Sequence, residues 1–527
     1  MSITPPPRSR PHWPVWLALA LAAIAGLAGW WWMGRPVALP DAPSSRIACV
    51  SYAPYRRPGE TPYDAATFIS PERIDADLHA LSQRFDCVRT YAQGQGLAAV
   101  PAIARRHGMQ VLMGIWLGRD LEANAREVAM GIATARANPQ ALRGVIVGNE
   151  VLLRGELSPQ ALAGYVRQVR AAVPASVPVS YADVWEFWLR FPQMAEAVDY
   201  LTIHILPYWE DEPVPPEHAV RHVAEVYARM QQAFPGKRVM IGETGWPSAG
   251  RPRRAARATL VNEARYLRQF LAYAGTVQMP YNVIEAFDQP WKRVQEGTVG
   301  GYWGIFDVHA RPKFSMTGPV VEEPRWWCGW LAGALGAAAF AMAARVRGRG
   351  LGASLLAGFA TGAALAWQGR QMVYACRDLF EWGVSAAACL AALATGAWLA
   401  RGIARRLAGM GEGVPPPAWL RLGWLFGLAW YGLLMVFDGR YRDFPLGLFA
   451  LPCVGYALSG WLSAKPAMPP AEHRLLACVL PVLGTLVVVQ EAGLNFTAWL
   501  WLGLNLTLAL PVLLAWHEVA GLRTQQA

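Results

Sequence analysis

Two glutamates stand where apolar, strand-like runs of the chain end. The run RGVIVGNEV (143–151) closes on Asn149 and Glu150, and the run RVMIGETGWPS (238–248) closes on Glu243. Cleavage of a glycosidic bond needs two carboxylates, because one protonates the leaving oxygen while the other meets the developing positive charge on the sugar. Glu150 and Glu243 are therefore a candidate catalytic pair, provided that the fold brings both to one cleft.

Residues 46–318 alternate short apolar runs with helical patterns. Near-continuous apolar character is typical of strands that are covered on both faces of a parallel sheet. The intervening segments carry helix start signals, since Ser70 precedes Pro71 and Ser158 precedes Pro159. Eight strands and seven helices in this length predict an α/β fold, the (β/α)8 TIM barrel. The predicted strands span residues 46–54, 85–91, 110–118, 144–150, 177–184, 200–208, 238–245 and 281–288.

A barrel would explain where the two glutamates stand. The strands of such a barrel point their C-terminal ends at one face, where active sites lie. Glu150 ends the fourth predicted strand and Glu243 ends the seventh, so both are expected on opposite sides of one cleft. A pair that retains anomeric configuration should stand about 5–5.5 Å apart, with one carboxyl protonated and the other ionised. The alternative is that each glutamate forms an unrelated salt bridge at the rim.

The segments VGNEV, IGETGWPS and EAFDQPWK resemble motifs of glycoside hydrolase family 17, the β-1,3-glucanases and glucanosyltransferases. The resemblance covers residues 46–318, about half of the chain. It implies a retaining mechanism through a covalent glycosyl-enzyme, with Glu150 as general acid/base and Glu243 as nucleophile. Asn149 is expected to donate to the sugar 2-hydroxyl, a contact that strengthens in the transition state.

Other polar and aromatic side chains near strand ends are candidates for substrate binding, because aromatic faces suit the apolar faces of sugars. Arg89 is expected to keep Glu243 ionised or to form a structural ion pair, and Tyr208 to hydrogen-bond the nucleophile. His204 is expected to pack in the barrel, and Trp246 either to form a sugar platform or to fill the core. Four residues of the last predicted strand and its loop resemble the family's glucan-binding rim. The candidate substrate-binding residues are Asn149, Tyr52, Arg89, Tyr91, Tyr208, Trp209 and Trp246, with Glu285, Asp288, Trp291 and Lys292 on that rim.

Membrane-spanning helices are predicted on both sides of the barrel. The chain is 54% hydrophobic and only 16% charged, and residues 13–33 contain no charge. Such a run is long enough to cross a hydrocarbon core of about 30 Å. We predict an uncleaved anchor here, with a cleaved signal peptide as the alternative. Seven further spans are predicted at residues 326–344, 351–368, 379–400, 418–437, 444–464, 473–490 and 495–516.

The basic residues predict the orientation of these spans. With the N-terminus inside, nine Lys and Arg residues fall in cytoplasmic loops and the C-terminal tail, against four outside, as the positive-inside rule favours. Arg8 and Arg10 also precede the first span. The cytoplasmic set is Arg345, Arg347, Arg349, Arg401, Arg405, Arg406, Lys465, Arg474 and Arg523, and the outer set is Arg370, Arg377, Arg440 and Arg442. The predicted location is thus a multi-pass protein of the cytoplasmic (inner) membrane with its barrel on the periplasmic or extracytoplasmic side.

The predicted organisation divides the chain into seven segments. These are a cytoplasmic N-terminus (1–12), an anchor (13–33), a linker (34–45), the barrel (46–318), a second linker (319–325), a multi-span domain of about seven helices (326–516) and a cytoplasmic tail (517–527).

Charge and cysteine usage exclude several classes of partner. The net charge of +11 is partly explained by the membrane-flanking loops, so no nucleic acid is expected. The seven cysteines include no C-x-x-C pair or Cys/His cluster, which argues against a zinc site, and we expect neither metal nor cofactor. Cys49 and Cys87 fall in the exported domain. They are expected to be buried free thiols, with a disulfide as the alternative.

A barrel followed by several spans resembles the bacterial membrane-bound β-(1,6)-glucan synthase-type proteins. The chain lacks a Q-x-x-R-W motif, a convincing D-x-D cluster and a P-loop, so synthesis would proceed by transglycosylation. We therefore predict a membrane-anchored retaining hydrolase or transglycosylase acting on β-1,3-linked glucan, with a role in synthesis or β-1,6 branching of envelope glucans. Hydrolysis and transfer both stay open at this point. The expected partners are β-glucan, membrane lipid and unidentified glucan-synthesis or export proteins.

Two alternatives assign no catalysis to the chain. One is a glucan-binding module, which the intact Glu150, Asn149 and Glu243 disfavour. The other is glucan export through the spans. Ionisable residues inside spans usually mark transport paths, and here they are few and near predicted ends, which favours a scaffold. Those residues are Asp378, Glu381, Arg421 and Glu491.

Overall fold

The computed structural model describes residues 11–411, 415–463 and 467–526. Arg8, Arg10 and Lys465, which entered the predicted orientation, lie outside the described residues, and so does the side chain of Arg523. The chain divides into two compact units. The sheet unit comprises Val37–Gly250 and Ala256–Val320, and the helical unit comprises Met1–Pro36, Arg251–Ala255 and Val321–Ala527.

A curled sheet of seven parallel strands forms the centre of the sheet unit, and its strand order is the chain order. Each strand lies within one of the runs predicted from apolar character or overlaps it. Parallel pairing of neighbours points all strand ends the same way, which brings the residues after them to one edge. The strands are β1 (Val50–Ser51), β2 (Cys87–Arg89), β3 (Gln110–Ile115), β4 (Leu142–Asn149), β5 (Val179–Val184), β6 (Leu201–His204) and β7 (Val239–Glu243).

The eighth predicted strand, residues 281–288, is not a regular strand. It forms isolated parallel bridges to both edges of the sheet, from Val283 to Val50 of β1 and from Tyr281 to Ile241 of β7. Within the run the backbone changes partner, because the amide of Glu285 donates to Trp303 and does not continue the ladder. The run therefore lies at both sheet edges without forming a continuous ladder with either.

Sixteen α-helices accompany these strands in the described part of the chain. They are α1 (Trp13–Gly34), α2 (Pro71–Ser82), α3 (Val100–Arg106), α4 (Leu121–Ala137), α5 (Pro159–Ala172), α6 (Trp185–Arg190), α7 (Ala219–Ala233), α8 (Leu260–Thr276), α9 (Arg293–Gly300), α10 (Trp327–Ala344), α11 (Arg349–Ala375), α12 (Leu379–Leu407), α13 (Ala418–Phe437), α14 (Leu446–Leu462), α15 (Ala471–Gln490) and α16 (Phe496–Gln526).

The predicted helix starts of α2 and α5 are confirmed. The Ser70 hydroxyl accepts a hydrogen bond from the amide of Arg73 at 3.3 Å, and the Ser158 hydroxyl accepts from Ala161 at 3.2 Å. Such a cap stabilises a helix by about 1 kcal/mol because it satisfies an amide that has no partner within the helix. The proline after each serine supplies a helical φ angle at a position where its missing N–H costs nothing.

One layer of buried side chains comes from or beside all seven strands, and it contains the two cysteines of the sheet unit. The expectation of free thiols at Cys49 and Cys87 is wrong, since the structure joins them in a disulfide. Their strands β1 and β2 are neighbours in the sheet, and the two Cα atoms stand 4.3 Å apart. Pairing of strands that are 38 residues apart in sequence is what places the two sulfurs together.

The helical unit contains long apolar helices that indicate membrane association. Among the described residues, seven helices have the length and composition to cross a membrane, namely α1, α10, α11, α12, α13, α15 and α16. The run predicted at 444–464 forms the shorter α14, which has 17 residues. The predicted break between residues 490 and 495 is real, because α15 ends at Gln490 and α16 begins at Phe496.

Candidate active site

Glu243 is the last residue of β7, and side chains at the end of β2 hold its carboxylate. Arg89 is only 1% exposed. Its Nη1 donates to Glu243 Oε1 at 3.0 Å, and its Nη2 donates to Asn149 Oδ1 at 2.6 Å. Tyr91 lies two residues further on and donates its phenol hydrogen to Glu243 Oε1 at 2.8 Å. A buried cation and a partly buried donor thus hold this carboxylate in one orientation.

Glu150 directly follows β4, and His204 at the end of β6 joins it to Glu243. His204 Nδ1 lies 2.9 Å from Glu150 Oε1, and its Nε2 lies 3.7 Å from Glu243 Oε1. Arg89 Nη1 is 3.4 Å from the same Nε2. Because a guanidinium can only donate, the neutral tautomer that fits carries its proton on Nδ1. In that tautomer His204 donates to Glu150.

The two glutamates converge on one place. Oxygens of Glu150 and Glu243, together with a ring nitrogen of His204, all lie within 4.8 Å of one another. The Glu150 side chain is 24% exposed and that of Glu243 is 10% exposed, so solvent reaches the pair. The same spacing would suit a cation. Arg89 already supplies a positive charge to Glu243, and we assign no metal.

The backbone around the pair is adapted to this geometry. Glu150 has a φ of 53°, a left-handed conformation that costs a non-glycine residue about 1–3 kcal/mol and is concentrated at functional sites. Its amide donates to Ala182 of β5 at 2.8 Å, which holds the turn in place. At Gly242 a Cβ atom would lie 2.4 Å from the Thr202 side chain and 3.0 Å from the His204 ring. Glycine is therefore what lets the histidine lie against β7.

Electrostatics keep Glu243 ionised. Burial by itself would raise the pKa of this carboxyl, but the His204 ring when it is protonated, the positive charge of Arg89 and the hydrogen bond from Tyr91 bring the pKa below its ordinary value. A carboxyl with a lowered pKa is an anion at neutral pH. Lys292 acts in the same direction on the Glu243 pKa.

The buried Glu285 and the partly buried Lys292 form an ion pair whose charges act on Glu243. Lys292 Nζ lies 2.9 Å from each carboxylate oxygen of Glu285. Burial raises the pKa of Glu285 to about 7 although Lys292 lowers it. Glu285 is 1% exposed, so its contribution is to fix the lysine, and a direct contact with a ligand falls to Lys292 or its neighbours.

Trp291 and Tyr63 form an aromatic pair next to Lys292. Their ring centroids are 5.6 Å apart and the rings are nearly perpendicular. The Tyr63 hydroxyl donates to Gln295 at 3.2 Å, and 63% of this residue is exposed. Trp209, the other partly buried aromatic candidate, contacts Tyr208 and Trp303.

Several predicted binding residues are buried. Tyr52 is fully buried and donates to Asp77 of α2 at 3.0 Å, a contact within the core, so a role in binding stays a prediction. Asp288 is also buried and pairs with Lys313 at 2.9 Å, because a carboxylate removed from water needs a cation. It is a structural residue. Trp246 is 1% exposed and fills the core, and the fully buried Tyr208 packs against it.

The sequence patterns did not reveal the bridging role of His204 or the contact of Tyr63 with Trp291. His204 was expected to pack in the barrel, and it is buried, but it also bridges both glutamates. Its position at the end of β6, paired in register with Glu243, was the available signal. Tyr63 lies in a long loop after β1, where no periodic pattern pointed to it.

Comparisons with known proteins relate about half of the chain to glycoside hydrolases. Residues 49–304 match the BtgE/BtgC glycoside hydrolase domain. A glucan 1,3-beta-glucosidase of Arthroderma benhamiae is 26% identical over 260 residues, which are 46% of this chain and 83% of the relative. The glucan 1,3-beta-glucosidase of Saccharomyces cerevisiae is 23% identical over 268 residues, 47% of this chain and 85% of the relative. The solved glycoside hydrolase family 17 β-1,3-glucanosyltransferase from Rhizomucor miehei is 27% identical, with a TM-score of 0.46, over 52% of this chain and 98% of that one.

The chain is a glycosidase. The matched range of this glycosidase contains Glu150 and Glu243 together with Arg89, Tyr91 and His204. The predicted resemblance to glycoside hydrolases is thereby confirmed for the sheet unit.

Proposed function

We propose that this glycosidase is a membrane-anchored, retaining enzyme that cleaves β-1,3-linked glucan and transfers the cleaved glycosyl group. The observation that carries the proposal is the close approach of the Glu150 and Glu243 carboxylates, within 4.8 Å. Retaining glycosidases hold their two carboxyl groups about 5–5.5 Å apart, whereas inverting enzymes need about 6.5–9.5 Å to admit a water molecule between them.

In the first step of this proposal Glu243 attacks the anomeric carbon while Glu150 gives its proton to the glycosidic oxygen. The bond from the anomeric carbon to that oxygen breaks, and a covalent ester to Glu243 forms. Arg89 and Tyr91 suit Glu243 to this role, because they keep it ionised and aimed. Asn149 contributes Nδ2 as a donor to the sugar 2-hydroxyl, since Arg89 occupies its Oδ1.

In the second step the ionised Glu150 takes a proton from an incoming hydroxyl, which attacks the anomeric carbon and releases Glu243. His204 supports both steps. Its Nδ1–H stabilises the Glu150 carboxylate after the first proton transfer, at the distance of 2.9 Å that the structure gives. Water as acceptor gives hydrolysis, and a sugar hydroxyl gives transfer.

The substrate class follows from the relatives, two of which are named glucan 1,3-beta-glucosidases. We propose that the curled sheet and residues 281–288 together make a (β/α)8 barrel and that the spans place it outside the cytoplasmic membrane. Nine basic residues on the cytoplasmic side against four outside support this orientation. Transfer to a sugar 6-hydroxyl would give the β-1,6 branches of an envelope glucan.

The decisive experiment follows the anomeric proton by NMR while the full-length protein acts on laminaripentaose in detergent micelles. We expect β-configured products first, with longer or branched oligosaccharides appearing as the substrate concentration rises. Linkage-specific spectra then identify the bond that transfer forms. Unchanged laminaripentaose, or a first product of α-configuration, would refute the proposal.

Tyr91→Phe should move the acidic limb of the kcat/KM profile. Glu243 acts as an anion, so activity is lost as the pH falls through its pKa, and that pKa is lowered in the wild type. Removing the phenol raises the Glu243 pKa, because a hydrogen bond to a charged group contributes about 1.5–3 kcal/mol, and about 1.36 kcal/mol corresponds to one pKa unit. We expect the limb to shift upward by about one pH unit. Tyr281→Phe, whose hydroxyl contacts the Ala48 amide, is the control and should leave the limb in place.

Tyr63→Ala should weaken the binding of long substrates selectively. The exposed ring next to Trp291 offers a stacking face, which we assign to a subsite away from the two glutamates. The loss of such a contact costs about 1–1.5 kcal/mol, roughly a tenfold change in affinity. We expect KM for laminarihexaose to rise about tenfold while KM for laminaritriose is unchanged. Tyr63→Phe keeps the ring and should behave as the wild type. An equal effect on both substrates would rule out this role.

A further inference from the structure

Five residues of the loop after β7, Arg251–Ala255, belong to the helical unit. We call these residues the strap. The residues on either side of it in sequence, Gly250 and Ala256, belong to the sheet unit. The strap begins eight residues after Glu243, which makes it part of the segment that follows the proposed nucleophile.

Arg251 is held deep among the helix ends. It is 5% exposed and forms an ion pair with Glu491. Its Nη1 donates to the carbonyl of Arg442 at 2.9 Å, and its guanidinium lies 4.5 Å from the centroid of the Phe444 ring. Burial strengthens each of these contacts because water does not screen the charges.

The remainder of the strap is fixed by its backbone. Glu491 Oε2 accepts from the amide of Arg254 at 2.5 Å, so one carboxylate holds two strap residues. Asn495 Nδ2 donates to the carbonyl of Pro252 at 2.8 Å. Glu491 and Asn495 stand at the two ends of the short turn between α15 and α16, and both are buried, at 7% and 1% exposure.

The base of the same loop is closed in the sheet unit. Trp246 Nε1 donates to the carbonyl of Arg257 at 2.9 Å, which ties together the segments before and after the strap. Trp246 also packs against Tyr208 at 5.8 Å between ring centroids. Ser248 donates from its amide to Tyr302 at 2.8 Å. A displaced strap would therefore act on Trp246 and Ser248, which follow Glu243 in sequence by three and five residues.

We propose that Glu491 is a positioning residue, which holds the strap and thereby fixes the loop that follows the nucleophile. The inference rests on the proposed function. A buried carboxylate that accepts from both a guanidinium and a backbone amide of one short segment is the contact expected of a residue that sets the position of that segment.

The test compares full-length Glu491→Gln with wild type in detergent micelles by two measurements. Hydrogen exchange of the peptide covering residues 244–257 reports whether the strap is held. The kinetics on laminaripentaose report whether holding it matters. We expect faster exchange in the variant and a fall in kcat of about 10- to 100-fold at unchanged KM, since small displacements of catalytic groups have effects of this size.

A matched control is Glu381→Gln, which removes a carboxylate of the helical unit that pairs with Arg377, four residues before it in sequence. It should change neither measurement. If Glu491→Gln does not fold, Arg251→Gln removes the same ion pair from the other side. Unchanged exchange would overturn the claim that Glu491 holds the strap, and faster exchange with unchanged kcat would overturn its positioning role. A wild type that leaves laminaripentaose intact refutes the proposed function instead, while the exchange measurement still decides whether Glu491 holds the strap.

Discussion

Glu243→Ala is expected to lower kcat on laminari-oligosaccharides by about four to six orders of magnitude, the range found when a covalent nucleophile is removed from other enzymes. The physical reason is that no other carboxylate stands where Glu243 Oε1 lies, between Arg89 and Tyr91. Substrate binding should survive, because the cleft and its donors remain. The measurement is the initial rate of oligosaccharide cleavage, with binding followed by calorimetry.

A small anion distinguishes the role of Glu243 from a general loss of structure. Azide can occupy the space that the Glu243 carboxylate leaves, and it would attack from the same side of the sugar. With an activated β-glucoside the expected product is therefore the α-glucosyl azide. Glu122→Gln is the matched control, since the Glu122 carboxylate is exposed on α4 and should not affect the rate. A β-azide product from Glu243→Ala would contradict the nucleophile assignment.

The positions of the two candidate glutamates could be predicted because they depend on local rules. An apolar run that ends in a polar residue predicts the C-terminal end of a strand. In a parallel sheet these C-terminal ends all lie at the same edge of the sheet. Glu150 and Glu243 needed no other information. The helix starts at Ser70 and Ser158 were equally local, since a serine followed by proline fixes a cap from adjacent residues.

Residues whose roles depend on distant partners could not be predicted in this way. From its position in sequence Tyr52 is predicted at the rim, but in the structure its hydroxyl donates to Asp77. Asp288 is predicted to bind a ligand, but in the structure it pairs with Lys313. The disulfide of Cys49 and Cys87 likewise follows from strand pairing. In each case the deciding neighbour is at least 25 residues away along the chain.

His204 shows a different reason for failure. From the sequence, packing in the core and a role in the site were treated as alternatives for this residue. A buried histidine can have both roles when its two nitrogens face different carboxylates. Its Nδ1 faces Glu150 and its Nε2 faces Glu243. For the strap the sequence gives no signal at all, because nothing in its composition distinguishes Arg251 from an exposed loop arginine. Only its burial beside Glu491 does so.

Glu150→Gly is expected to separate the two steps of the reaction. Glycine removes the carboxyl and suits the φ of 53° at this position, where alanine would be strained. On natural oligosaccharides the rate should fall by about 10²- to 10⁴-fold, the usual contribution of a positioned general acid. A dinitrophenyl β-glucoside needs no proton for departure, so its first step should stay fast and release one equivalent of phenolate in a burst. The second step then lacks its base, and the glycosyl-enzyme on Glu243 should accumulate until azide converts it to the β-glucosyl azide. Equal losses on both substrates, without a burst, would show that Glu150 does not act as the acid, because an effect on geometry alone would not depend on the leaving group.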